Sequence, residues 1–350
     1  MSRETMQWLN TMTLIGYKDK RGHAWHHRAE YQGDEPNHYD GPVPIEDVLR
    51  RLFDPWEIKA APLQFPMVTE DGVTTVTDES RQVIYNGKTG HVFYVASDGY
   101  VIHHYGPWLL DTVANILDDD LQIGSAGLLE QGGVAWVQVE LPETVKGPGD
   151  FEYRPYIFAM TSCNGSKATT FGRAAQAIVC DNTLHIADHE GGHIRIKHTA
   201  GSALRIAEAR DALNLIVASQ TEMDAELELL LSTKVDDVQW QKFLDLAVPI
   251  KEDMSPRAKT LAENKLGELN KLYKHDIRAA AWKGTGLGVM QAVNTYDQWV
   301  GTMRNLGDGN KAQARFGRSL LSAADGSLGK ATANYRTMLA QVTDAQLVSA

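Results

Sequence analysis

The sequence predicts an α+β fold: an antiparallel sheet with embedded helices, followed by a helical C-terminal region. Two observations predict it. Up to about residue 198, apolar residues come in strand-length runs punctuated by turn dipeptides: Asp71-Gly72, Asn86-Gly87, Asp98-Gly99 and Gly132-Gly133. From Thr199 onward, apolar residues recur three and four apart with few Gly or Pro, which is the period of an amphipathic helix. Strands first and helices afterwards is an α+β order, not an alternating βαβ wind.

Residues 1–40 read as an N-terminal arm, extended or draped over a domain. No apolar period runs through TMTLIGYKDKRGHAWHHRAEYQGDEPNHYDG, and Trp8, Trp25, Tyr31 and Tyr39 give it stacking surface. Residues 41–198 form the α+β core domain. Pro44 opens a short helix to Phe53, with Glu46 and Asp47 in its first turn. A hairpin turning at Glu70-Asp71-Gly72 follows, then further strands to residue 105. Pro107 opens a second helix, PWLLDTVANILDD, with Trp108, Leu109, Val113, Ile116 and Leu117 at helical spacing. LQIGSAGLLEQGGVAWVQVELPE reads as strand, turn and strand. Two apolar runs, Tyr156–Met160 and Ala177–Cys180, flank a polar loop containing Gly165 and Gly172.

Residues 199–307 form the helical region. One long amphipathic stretch is followed by VDDVQWQKFLDLAV, ended by Pro249. A further helix is capped by Ser255 with Pro256 at its first position. GTGLGVMQAVNTYDQWVGTMRN supplies the last helix of this region. Residues 308–350 read as a C-terminal helix or partly ordered tail.

With 43% hydrophobic residues in 350, a sizeable core forms without cross-links. The two cysteines, Cys163 and Cys180, make no CxxC pair and lie beside apolar runs, so they read as buried small hydrophobes in a reducing compartment. No run approaches a membrane span and the first residues lack a signal pattern, so the cytoplasm is expected, the host's if the gene is phage-borne. A net charge of -11 argues against indiscriminate binding to polyanions, but leaves room for a basic groove on an acidic body.

No GxxxxGK[ST] loop occurs. Gly284-Thr285-Gly286-Leu287-Gly288 follows a helix instead of a strand and reads as a helix connection, so no cofactor is expected. His23, His26, His27 and His38 match no defined metal spacing. His185, His189 and His193 are four apart, but Gly191-Gly192 interrupts any helix that would align them. With Asp188 or Glu190 they define the enzyme alternative, a metal-dependent hydrolase. No nucleophile elbow surrounds Ser162, Cys163 or Ser166, and no catalytic residue is assigned. The concentration of Lys167, Arg173, Arg195, Lys197, His198 and Arg205 suggests a phosphate-facing groove. Asn164, Ser166, Thr169 and Thr170 are its supporting donors, and Trp136 and Tyr156 its stacking aromatics.

The stretches TMTLIGYKDKRGHAWHHR, IGSAGLLEQGGVAWVQVELPE, IFAMTSCNGSKATTFGRAAQAIVCDNTLHIA, RIKHT and GVMQAVNTYDQWV resemble the phage/plasmid-like domain-of-unknown-function family numbered nine hundred and thirty-two. Its most recognisable feature is matched by Val179-Cys180-Asp181-Asn182-Thr183-Leu184. The resemblance spans nearly the whole chain and implies a bacteriophage, plasmid or actinobacterial-type origin. A more remote similarity links the order of elements to phage single-strand annealing recombinases, which assemble into rings or filaments. It implies a DNA-binding protein that anneals single strands in recombination, with single-stranded DNA as partner and a homo-oligomeric state. A structural or oligomeric interaction protein without catalysis is the alternative.

Overall fold

The computed structural model describes residues 12–17, 35–110, 122–140, 145–177, 183–184, 193–202, 216–301 and 327–343. Its strands make two antiparallel sheets. The larger runs β1 (Thr13–Ile15), β5 (Gln122–Leu129), β6 (Val134–Glu140), β8 (Glu152–Ser162), β9 (Thr169–Ala177) and β10 (Thr183–Leu184) in spatial order. β7 (Val145–Lys146) adds to β8, and β11 (His193–Ile196) adds to β9. The smaller sheet is β2 (Ile58–Thr69), β3 (Gly72–Asn86) and β4 (Val92–Ser97). The α+β order read from the sequence is the order of the molecule.

β5, β6 and β8 are buried on both faces, which explains why they read as continuous apolar runs and not as an alternation. One face presents Ala126, Val137, Ile157, Ala159, Phe171 and Ile196 to a core shared with Ile84 and Ala96 of the small sheet. That core also takes Val48, Leu52 and Phe53 from the turns after α1 (Ile45–Asp47). The opposite face carries Trp136, Tyr156, Phe158 and Met160.

Five further helices follow: α2 (Ile216–Ser232), α3 (Asp237–Ala247), α4 (Pro256–His275), α5 (Gly286–Thr295) and α6 (Ser327–Thr343). Asp236 and Gln239 close a capping box at the start of α3. Ser255 accepts from the Ala258 amide, with Pro256 opening α4. The helices share one apolar cluster in which Trp240 stacks on Tyr273 at 4.0 Å. Phe151 and Tyr153, at the start of the β7–β8 ladder, belong to the same cluster, and the Tyr153 hydroxyl donates to Asp224 of α2 at 2.7 Å. The helical region is therefore anchored on the sheet.

Several local expectations need correcting. Gly172 lies inside β9, opposite Phe158, and the loop of that hairpin is only residues 163–168. A glycine between two polar stretches imitates a loop, but here it continues the ladder. Asp98-Gly99 ends β4 without starting a hairpin, because the chain then runs as irregular backbone to His104. Thr13–Ile15, within the stretch read as an arm, is a strand of the main sheet paired with β5. Of the helix expected from Pro107, a turn at Gly106–Leu110 is described; the remainder lies outside the described residues. Gly284, at φ 86, and the N-cap Thr285 lead into α5, so the glycine-rich stretch is a helix connection.

Candidate nucleic-acid interface at the β9–β11 edge

β11 pairs with β9 in antiparallel register: His193 opposite Gly172, Ile194 opposite Phe171, Arg195 opposite Thr170 and Ile196 opposite Thr169. The alternation of a strand then assigns sides. Ile196 is buried in the core, and Arg195 and Lys197 are exposed on the other side of the strand. Neither cation forms an ion pair among the described residues. Arg173 occupies the register position opposite Ile157, of the parity that faces the core with Phe171, and hence opposite to Arg195. The pleat separates two cations that the linear sequence groups together. Arg205, Val179, Cys180 and Asn182 lie outside the described residues. Thr183 and Leu184 form β10, opposite Gln176 and Ala175.

His198 follows Lys197 with core parity and is buried. Its Nδ1 bonds the Val101 carbonyl at 3.0 Å, and the Val101 amide donates to the His198 carbonyl. The imidazole lies in a row of rings: Tyr94 meets Tyr100 edge-on at 6.0 Å, Tyr100 stacks on His198 at 4.8 Å, His198 on His103 at 3.9 Å, and His103 on Trp108 at 3.5 Å. His103 is fully buried; its Nδ1 shares a 2.6 Å hydrogen bond with Thr169, which shares another with Thr161. Burial pushes its pKa down to about 3, and the neighbouring His198 adds to the effect. Burial also lowers that of His198, opposed by the carbonyls of Val101 and Lys167. Both rings are neutral at pH 7 and brace the edge; neither is a charged phosphate ligand.

The β8–β9 loop closes this end. Ser162 Oγ donates to the Lys167 carbonyl and accepts from its amide. Gly165, at φ 70, lies against Tyr94, whose ring a Cβ there would meet at 2.8 Å. Asn164 and Ser166, expected to donate to phosphates, both donate to the Glu130 carboxylate. Thr169 and Thr170 are buried, with Thr170 Oγ1 donating to the Ala168 carbonyl. Trp136 and Tyr156, expected to stack bases, are each 1% exposed and packed inside the sheet. The aromatic that reaches solvent here is Tyr94, with half-buried Tyr100 behind it. The aromatic density of Tyr100 to Trp108, YVIHHYGPW, was the available signal for this row.

Cys163 is buried and shares a 3.0 Å contact with the Tyr105 hydroxyl, which donates to the Gly132 carbonyl. Burial pushes its thiol up to about 11, so it is not a thiolate nucleophile at neutral pH. Among the described residues no His, Cys, Asp and Glu group is arranged to hold a metal ion. His185 and His189, with Asp188, lie outside them. A second charged feature escaped notice in the sequence. Glu140 and Arg154, each 1% exposed, face each other at 3.7 Å across the β6–β8 ladder, with the guanidinium 5.8 Å above the Tyr17 ring. Charges inside the apolar runs VAWVQVE and YRPYIF were the clue.

No helix among the described residues is long and apolar enough to cross a membrane. Comparison with curated proteins and with solved structures gives no match. One family model, Domain of unknown function (DUF932), matches residues 92–319, from β4 past α5, which is more than half of the chain and includes the whole β9–β11 edge; the chain belongs to that family.

Proposed function

We propose that this protein binds single-stranded nucleic acid across the β9–β11 edge, in the manner of a phage- or plasmid-type annealing protein. The observation that carries the proposal is the pair Arg195 and Lys197: two exposed cations two residues apart on a short strand, without a carboxylate partner among the described residues, on a protein of net charge -11. Unpaired cations retained on an acidic body suit an anionic ligand. Lys167 extends the positive strip from the adjoining loop, and Tyr94 offers a ring face around the edge. Sequence-tolerant binding of single strands combines these two elements, phosphate attraction and base stacking. No catalytic group is required.

Fluorescence anisotropy with a labelled single-stranded oligonucleotide tests this reading. Binding is expected at low salt and weakens steeply as salt rises. Arg195→Ala and Lys197→Ala each reduce affinity for all sequences and lower the log–log salt slope by about 0.7. Tyr94→Ala costs about 1–3 kcal/mol and leaves the slope unchanged. Absence of binding by the unaltered protein at low salt overturns the proposal.

A further inference from the structure

A second surface is independent of that reading. Beyond the register shift at Pro62/Leu63, β2 and β3 continue as a two-stranded ribbon, paired from Leu63 opposite Asp78 to Thr69 opposite Gly72. Every residue from Gln64 to Thr75 is exposed, with Val68 at 82% and Val73 at 72%. Phe65, Met67 and Val76 share one face, and Pro66, Val68 and Val73 the other. A two-stranded ribbon with neither face covered is marginal in water, and contiguous exposed apolar residues mark contact surfaces. Strand addition is not its mode along the outer edge of β2, where Pro62 and Pro66 remove amide donors. The ribbon offers its faces.

Its charges describe what it fits. Between Lys59 and Arg81 there is no cation, and four carboxylates form two pairs: Glu70-Asp71 at the tip and Asp78-Glu79 toward the base. The span from Gly72 to Asp78 puts these pairs about 20 Å apart. The outer face of α4 is the complement. Arg257, Leu261, Asn264, Gly267, Lys271 and Lys274 recur at helical spacing, all exposed. Arg257 and Lys271 are about 21 Å apart along the axis. None of the three cations is paired among the described residues. Between them lie Leu261, 54% exposed, and Gly267, where a Cβ would meet nothing within 4 Å. We infer that the ribbon of one copy docks along α4 of a second copy, carboxylate pairs on cations and apolar strip on Leu261 and the Gly267 notch. Donor and acceptor are different patches, so the contact is head-to-tail. Repeated, it closes as a ring or runs on as a filament.

Sedimentation velocity of the full chain is the test. The unaltered protein is expected to form species larger than a dimer as concentration rises. Glu70→Lys with Glu79→Lys, and separately Arg257→Glu with Lys271→Glu, each weaken association about tenfold or more. Mixing the two variants restores it, because each ribbon then meets a helix of opposite sign. A second readout does not depend on docking polarity: Met67→Cys mixed with Asn264→Cys forms a disulfide-linked pair of copies under oxidation, above the background of either alone. A monomer at all concentrations, an assembly that stops at a dimer, unchanged association in both charge variants, or a mixture that fails to recover overturns the inference. Single-strand binding measured on the same variants is expected to persist, so the failure of one proposal is separable from the failure of the other.

Discussion

At Gly124 a hydrogen atom in place of a methyl group decides whether the Glu140–Arg154 pair fits. A Cβ there would overlap the Glu140 carboxylate. Displacing one partner of a buried pair leaves the other charge uncompensated, so Gly124→Ala is expected to cost about 3 kcal/mol in denaturant unfolding; a loss below 1 kcal/mol would show that the carboxylate has another berth. His103 sets a pH dependence. Its ordinary pKa is 6.5 and burial lowers it to about 3 in the fold. Above pH 6.5 both folded and unfolded forms are neutral and the group is silent. Below it the unfolded chain takes up a proton that the folded chain refuses, so stability falls by about 1.4 kcal/mol per pH unit toward pH 3. Urea midpoints at successive pH values measure this, and His103→Phe is expected to flatten the acid limb. An equally steep limb in the variant removes His103 as its cause. Cys163 was readable as a buried thiol from its apolar neighbours. His198 was not readable as a core ring, because its stacking partners come from a distant stretch of chain.

Elements were legible where a local rule acts alone. Ser255 and Pro256 announce α4, Asp236 begins α3, and Asp71-Gly72 turns β2 into β3. Gly172 was misread because a glycine inside a central strand and a glycine in a loop look alike until the partner strand is known. The site followed the same division. Arg195 and Lys197 were visible as cations, but their common side, and the opposite parity of Arg173, come from the pairing of β11 with β9, which no local pattern encodes. Burial of Trp136 and Tyr156 has the same origin: two strands on either side of each consume both faces.

For the whole molecule, the shared cluster of Phe151 and Tyr153 with Trp240, Phe243 and Tyr273 joins the sheet to the helices. Calorimetry is therefore expected to show a single cooperative transition, and a chain truncated before Ser255, which strips Tyr273 from Trp240, to lose it. Two resolved transitions in the intact protein would mean that the helices fold apart from the sheet. Composition had indicated a core large enough to stand without cross-links; that sheet and helices contribute to the same one depends on contacts between residues far apart in the chain.

The pleat of β11 constrains how this edge can change over generations. A single-residue deletion ahead of Arg195 would turn Ile196 toward water and carry a guanidinium into the apolar interior. Length changes in the segment before β11 are thus tolerated only where the loop absorbs them whole. The outward charge and the inward isoleucine are inherited together, and variation at this edge is confined to substitution.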